Sequence, residues 1–143
     1  MKWTQNLAPE TLADFEALLD RLMPLAQARL EAEGVCWPVA AAFDRKGVAT
    51  DLIDPVDGPT SVRKRLDMVY NTLRDRAEWL RAVGVAADVK AIGVDSLRIS
   101  LEHMDGSSAD VFLSHGTTKW RKKVVYGDLR TATGHTYVWD EIE

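Results

Sequence analysis

The chain has 143 residues, of which 46% are hydrophobic and 28% are charged, and its formal net charge is -4. This length and balance predict a single globular domain over residues 1–143, and they exclude a disordered or fibrous protein. The acidic balance disfavours a dedicated nucleic-acid-binding protein, because such proteins usually carry a positively charged surface.

Sequence features that report on compartment and cofactors are few. Cys36 is the only cysteine, so an intramolecular disulfide and a cysteine-based zinc site are excluded, and we expect a small buried side chain. No apolar run reaches the ~18–20 residues of a membrane-spanning helix. The first residues also lack the apolar segment of a secretory signal. We therefore expect a cytoplasmic protein without a membrane partner, cofactor or metal.

A first helix is predicted from Pro9, which suits the first helical position, to a stop at Gly34. Pro24 lies inside this pattern and should kink the helix or split it after Met23. Asp14 belongs to the opposite, polar face and is expected in solvent. The apolar stripe consists of Leu12, Phe15, Leu19, Leu22, Ala26 and Leu30.

Two strands are predicted next. Residues 36–43 form the first, with Pro38 at its start or at an unpaired edge position, because proline cannot donate to a ladder. A turn over residues 44–47 leads to a second strand over residues 48–53. A rigid loop, residues 54–59, then separates these strands from the next element.

The second predicted helix begins at Thr60 or Ser61, either of which can cap it, and ends at Gly84. Its charged outer face is expected to be solvated. Its buried stripe would consist of Val62, Leu66, Val69, Leu73, Ala77 and Leu80.

Short strands follow the second helix. Residues 127–143 are expected to be mostly irregular, with Tyr137, Val138 and Trp139 docking the tail. The predicted strands cover residues 88–94, 97–103 and 109–115, with a further short strand at 124–126.

The order of the predicted elements, α-β-β-α-β-β-β, places the chain in the α+β class. We expect an antiparallel sheet of about five strands flanked by two long helices, with an irregular C-terminal segment. This order is similar to that of profilin-like and roadblock-like folds, in which the final strand lies beside the first. Folds of this kind host many unrelated functions.

The predicted hairpin also resembles a segment of other proteins. Residues 101–106 read Leu-Glu-His-Met-Asp-Gly, and Val-Phe-Leu follows at residues 111–113. This resembles a Leu-Glu-His-x-Asp-Gly turn leading to a Phe-Leu-Pro-Tyr strand end in small uncharacterised bacterial α+β proteins. Here Ser114 and His115 replace the Pro-Tyr. The resemblance covers about a tenth of the chain and implies a hairpin, without an activity.

The length of this turn decides which residues share a site. A two-residue turn at Asp105 and Gly106 would place Asp110 opposite the apolar Leu101. A loop one residue longer pairs Leu101 with Val111 instead. We favour the longer loop because it matches apolar with apolar residues on the face that packs on the core.

The favoured register places Glu102 directly opposite Asp110, on a face shared with Arg98 and Phe112. Two carboxylates in this position repel each other unless a cation, a shared proton or a lysine such as Lys90 lies between them. Such a pair could bind a metal or act as general acid and base. The alternative is a solvated face without a site.

No local catalytic signature is present. The chain contains no Gly-rich phosphate loop, nucleophile elbow or HExxH motif. His103, His115 and His135 lack the close spacing of a zinc motif. We expect His103 to be a partly buried, hydrogen-bonded side chain.

One stretch concentrates positive charge around an aromatic residue. Trp120 is flanked by Lys119, Arg121, Lys122 and Lys123. This pattern suits an acidic protein partner or a phosphate backbone with a base stacked on the indole. The alternative is a solvated loop whose tryptophan packs against the sheet.

Three functions remain open. We favour a non-enzymatic protein-binding or regulatory domain that docks a partner through the Trp120 loop, with homodimerisation through an edge strand as a further possibility. The second is a small-ligand-binding module with a pocket lined by Phe112, Arg98 and Tyr126. The third is a small enzyme using Glu102, Asp110 and a histidine.

Overall fold

The computed structural model of the chain describes residues 6–55 and 61–139. Within these ranges the elements follow the order α-β-α-β-β-β-β. The helices are α1 (Pro9–Glu33) and α2 (Val62–Asp75). The strands are β1 (Val39–Asp44), β2 (Leu80–Ala91), β3 (Val94–His103), β4 (Ser108–Thr117) and β5 (Val124–Thr133).

These strands form one five-stranded antiparallel sheet in the order β1-β2-β3-β4-β5. The predicted α+β class and antiparallel sheet are therefore confirmed. The final strand β5 lies at the edge opposite β1, whereas the profilin-like arrangement would place it beside β1. From β2 to β5, each strand is joined to the next by a short hairpin loop. Antiparallel neighbours need no longer connection.

The first helix follows its predicted boundaries. It starts at Pro9 and ends at Gly34, whose left-handed φ of 77° allows its N–H to donate to the Leu30 carbonyl oxygen. Pro24 lies within the helix without splitting it. Asp14, expected in solvent, is 6% exposed. No helix in the described part of the chain is long and apolar enough to cross a membrane.

The predicted second strand is not a regular strand. In residues 48–53, Ala49 and Ile53 form isolated bridges to Phe43 and Ala40 of β1. The bridged residues are four positions apart in the segment and three apart in β1, so a continuous ladder cannot form. The segment nevertheless lies along the outer edge of β1. β1 begins directly after Pro38, as expected for a residue that cannot donate.

The prediction that α2 continues to Gly84 is wrong. The helix ends at Asp75, a short 3-10 helix covers Ala77–Trp79, and the chain then enters β2. β2 is a central strand buried on both faces, so its sequence lacks polar alternation and is compatible with a helical stripe. Ser61 caps α2 through its hydroxyl, as predicted. Thr60 and residues 56–59 of the predicted loop lie outside the described residues.

Gly84 does not end a helix; it lies inside β2 and permits close packing. A Cβ atom at this position would lie 2.7 Å from Cδ1 of Leu22, so glycine allows α1 to approach β2 closely.

The predicted strand 88–94 contains the turn between β2 and β3. Ile92 and Gly93 occupy that turn with φ angles of 53° and 75°, the signature of a two-residue hairpin.

The two faces of the sheet carry separate cores. On the α1 face, α1 packs on alternate residues of β1 to β4, and Phe15, Leu22 and Ile99 are fully buried there. On the α2 face, α2 and Val138, near the C-terminus, pack mainly on β1 and β2. On this face α2 therefore covers mainly β1 and β2, and the polar residues singled out by the sequence lie beyond them, on the α2 face of β3 and β4.

β5 is longer than predicted. Residues 127–133, expected to be irregular, continue the strand to Thr133. Leu113 pairs with Leu129 and His115 pairs with Tyr126, so two residues of β5 oppose the single Ser114. This is a β-bulge, which increases the local twist of an edge strand.

Candidate functional site

The register of the β3–β4 hairpin differs from the favoured one. Each residue of β3 pairs with a residue of β4 two positions earlier than expected. Leu101 pairs with Ala109, and Glu102 pairs with Ser108. The loop still has three residues, but it consists of residues 104–106, because His103 and Ser107 are linked by a hydrogen bond of 2.9 Å. Apolar residues still oppose one another in this register, so apolar matching alone could not separate the two alternatives.

Glu102 and Asp110 consequently do not face each other. Asp110 opposes Ser100, one diagonal step from Glu102 on the same face. Lys90 pairs with Asp95 at the far end of the hairpin between β2 and β3, so it cannot neutralise either acid. The arrangement therefore lacks the paired carboxylates on which the acid–base and metal hypotheses depended.

The carboxylate of Glu102 binds the C-terminal segment instead. Its two oxygens accept hydrogen bonds from the consecutive backbone N–H groups of Tyr137, Val138 and Trp139, at 2.8 Å from Val138 and 3.0 Å from Trp139 for Oε2. The residue is only 3% exposed. Burial raises the pKa of Glu102 above its ordinary value, while the three backbone donors act in the opposite direction.

Helix α2 and the 3-10 helix after it hold the same segment from the other side. Nε of Arg74 donates to the Tyr137 carbonyl oxygen at 2.8 Å, and the indole N–H of Trp139 donates to the Ala77 carbonyl oxygen at 3.3 Å. The rings of Tyr70 and Tyr137 lie 5.0 Å apart. The predicted docking of residues 137–139 is confirmed, and it closes the α2 face over Glu102.

The three residues expected to line a ligand pocket do not share one. Arg98 and Phe112 oppose each other on the α2 face. Tyr126 lies on the α1 face, where its hydroxyl donates to Glu31 at 3.1 Å. Burial and this hydrogen bond raise the pKa of Tyr126 to about 12. The expectation of a common pocket was therefore wrong.

The α2 face does have a depression near its open end, with a volume of about 270 Å³. It is lined by Ser96, Ser114, Asp128 and Arg130, together with Ala91, Ile92 and Val94. It is slightly smaller than the ~300–1,000 Å³ typical of small-molecule sites. Arg98 and Phe112 are outside it, and the Arg130 guanidinium instead lies 5.3 Å from the centre of the Phe112 ring.

His103 belongs to a buried polar cluster on the α1 face. Asp14 accepts two hydrogen bonds from Arg81, at 2.9 and 2.8 Å, and its Oδ2 lies 3.1 Å from Nε2 of His103. The backbone N–H of Asp105 donates to Nδ1 of His103, so Nε2 carries the proton and donates to Asp14. Both ring nitrogens are thus engaged inside the protein, as expected for a structural histidine.

A β-bulge explains how Arg81 reaches this cluster. Phe43 pairs with Ala82 and Asp44 pairs with Leu80, which leaves Arg81 as the extra residue of β2. The bulge turns its side chain to the α1 face. The cluster links α1 to β2 and to the end of β3, so it fixes the position of the helix on the sheet.

The hairpin loop is tied to the start of α1. The Thr11 hydroxyl donates to Oδ2 of Asp105 at 2.5 Å, and the backbone N–H of Ser107 donates to Oδ1 at 2.7 Å. Burial acts to raise the pKa of Asp105, but these hydrogen bonds outweigh it and hold the pKa below its ordinary value of 3.8. The carboxylate is therefore the form that the folded protein stabilises.

The other histidines and the cysteine also have structural contacts. Nε2 of His115 lies 2.8 Å from Oδ1 of Asp88, whose Oδ2 accepts from the backbone N–H of Cys36 at 3.2 Å. Cys36 is buried as expected, and burial raises the pKa of its thiol to about 12. His135 stacks on Tyr137. Among the described residues no group of three or more His, Cys, Asp or Glu side chains is arranged to hold a metal.

The basic loop between β4 and β5 projects its aromatic residue into solvent. Trp120 is 92% exposed, so the alternative in which it packs against the sheet is excluded. Thr118 closes the loop: its N–H donates to the Lys123 carbonyl oxygen at 2.8 Å, and its hydroxyl accepts from the Lys123 N–H at 3.1 Å. Lys122 adopts a left-handed φ of 51° within this turn.

The basic side chains of this loop lie outside the ion pairs that the described residues form. Within the part of the chain that the structure describes, Lys119, Arg121, Lys122 and Lys123 form no ion pair. The loop is therefore a closed turn that presents an indole ring among cationic side chains. We define this basic loop as residues 118–123.

Sequence reasoning missed Asp14 and Arg81, and no local signal could have found them. Asp14 was expected on the solvated face of the first helix, and Arg81 falls within the second predicted helix, whose charged face was also expected in solvent. Only the bulge in β2 brings them together. The comparisons with protein-family models, curated proteins and solved structures gave no significant match.

Proposed function

We propose that this protein is a non-enzymatic protein-binding domain that docks an acidic surface of a partner protein through the basic loop. The exposed Trp120 carries the proposal, because a large aromatic side chain left in solvent loses free energy that burial in an interface would recover. Tryptophan and arginine are also the residue types most often responsible for binding energy in protein interfaces.

The charge distribution supports a protein partner over a nucleic acid. The chain as a whole carries a net charge of -4, while residues 119–123 contain four basic side chains. A nucleic-acid-binding protein usually extends its positive surface over a larger area. A compact positive loop on an acidic body suits an acidic protein patch and would steer its approach. A single buried free cysteine fits a cytoplasmic location.

Capture of partners from a lysate of the source cell tests this proposal. We expect the Trp120→Ala and Arg121→Glu variants to fold normally and to lose a partner that the native protein retains. Capture by the native protein should weaken at high salt. Trp79→Ala is the matched control, because Trp79 is also exposed, at 61%, but lies in the short 3-10 helix far from the basic charges in sequence.

Nuclease treatment of the lysate separates the two partner classes. A protein partner survives the treatment, whereas capture that disappears with the nucleic acid contradicts the proposal. The proposal is also rejected if the native protein retains nothing that the Trp120→Ala variant does not retain equally.

A further inference from the structure

β5 is an open edge of the sheet. β4 pairs along one side of it, and no strand of the described residues pairs along the other. The opposite edge is different, since the segment containing Ala49 and Ile53 bridges to β1 there. β5 therefore offers ten residues of backbone on which another strand could form a ladder.

This edge has exposed apolar residues and lacks two of the features that usually protect an edge strand. Leu129 is 54% exposed and Val125 is 46% exposed. β5 contains neither lysine nor proline, which commonly protect edge strands. Its charged residues are one acid and one base, Asp128 and Arg130, and within the described ranges neither forms an ion pair.

We infer that β5 pairs antiparallel with β5 of a second copy of this chain, about a two-fold axis at Leu129. The bulge supports this centre. The β4 partners of Val124, Leu129 and Thr133 are residues 117, 113 and 109, so Leu129 lies four ladder positions from each end of β5. A two-fold axis at Leu129 therefore pairs Val124 of each copy with Thr133 of the other, and the whole strand is used.

The charges are complementary in this register. The bulged residues 127 and 128 of one copy oppose Arg130 of the other, so Asp128 and Arg130 meet twice, once on each side of the axis. Both side chains line the depression on the α2 face, so they project from the same side of the sheet. Opposite charges in facing positions stabilise strand pairing, and like charges oppose it.

The rest of the fold leaves room for the second copy. Helices α1 and α2 pack mainly on β1 to β3, and α1 reaches β5 through the hydrogen bond between Tyr126 and Glu31 on the α1 face. Leu129 lies on the α1 face, where it would contact Leu129 of the second copy at the axis. A single strand pair gives a small interface, on the order of 1,000 Å² in total, so the dimer should dissociate on dilution.

Sedimentation velocity over a concentration series, from about 1 µM to about 1 mM, tests this inference. We expect the native protein to dimerise reversibly. Asp128→Arg and Arg130→Asp each create two like-charge contacts and should raise the dissociation constant about tenfold or more. The double variant Asp128→Arg/Arg130→Asp restores both opposite-charge contacts and should return the dissociation constant to within about threefold of the native value.

Asp67→Arg is the matched control, because Asp67 is an exposed acid on α2. The inference is overturned if the native protein stays monomeric, if the single variants dimerise like the control, or if the double variant is not restored. Amide hydrogen exchange of the native protein tests the same pairing without a mutation. Exchange of residues 124–133 should slow with increasing concentration, and no change there would also overturn the inference.

Discussion

The carboxylate of Glu102 accepts a hydrogen bond of 2.8 Å from the backbone N–H of Val138, although 36 positions separate the two residues in the chain. Both residues are buried. Residues 137–139 are thereby fixed on the α2 face of the sheet, because the buried acid of β3 binds their backbone. This contact makes the C-terminal segment a part of the core.

Glu102→Gln tests the contribution of that contact. The amide group cannot accept on both of its polar atoms, so a buried backbone N–H loses its partner, and we expect the free energy of unfolding to fall by about 1–3 kcal/mol. Amide exchange of residues 137–139 should accelerate. Denaturant titration and exchange mass spectrometry measure the two effects. Glu78→Gln, at an exposed position, serves as the control and should leave both unchanged.

Asp105 should make stability depend on acidity. Its pKa in the folded protein lies below 3.8, so its contribution is present above that ordinary value and is lost as pH falls through the folded pKa. We expect Asp105→Asn to be less stable than the native protein at neutral pH. The difference should shrink in acid, as followed by denaturant titration at several pH values. A constant difference at every pH would contradict this account of the carboxylate.

The Asp14–Arg81 ion pair should be sensitive to removal of one partner. Asp14→Ala leaves the Arg81 guanidinium without its main acceptor in a mostly buried site, and we expect a loss of about 3 kcal/mol. The bidentate pair of Arg29 and Asp54 is more exposed, so Asp54→Ala should cost about 1 kcal/mol or less. Chemical denaturation compares the two variants. Equal losses would show that burial does not set the cost.

Gly84→Ala should destabilise the packing of α1 on β2. The added Cβ would lie 2.7 Å from Cδ1 of Leu22 and 3.2 Å from Cδ2 of Leu101, and we expect a cost of about 1–3 kcal/mol. Gly116→Ala is the matched control on β4, because nothing lies within 4 Å of a Cβ there. Thermal unfolding of both variants checks the difference. A Gly84→Ala variant as stable as the control would exclude the close approach.

Local sequence patterns predicted the elements whose two sides differ in polarity or whose ends carry a capping residue. α1 is one example, from Pro9 to the Gly34 cap, and the capping of α2 by Ser61 is another. The prediction failed at β2, because a strand buried on both faces shows no alternation and its apolar residues also fit a helical stripe. It failed at β5 for the opposite reason, since an edge strand exposed on both sides resembles a loop.

The candidate site depended still more on tertiary structure. The sequence determined the α+β class, the alternation that places Arg98, Glu102 and Asp110 on one face, and the charge of the basic loop. It could not choose the hairpin register. When the pairing shifts by two residues, every side chain stays on the same face of the sheet, and apolar residues oppose one another equally well. That choice separated Glu102 from Asp110 and left Glu102 to bind Val138. Contacts between residues distant in sequence depend on how the elements pack, and no local pattern encodes them.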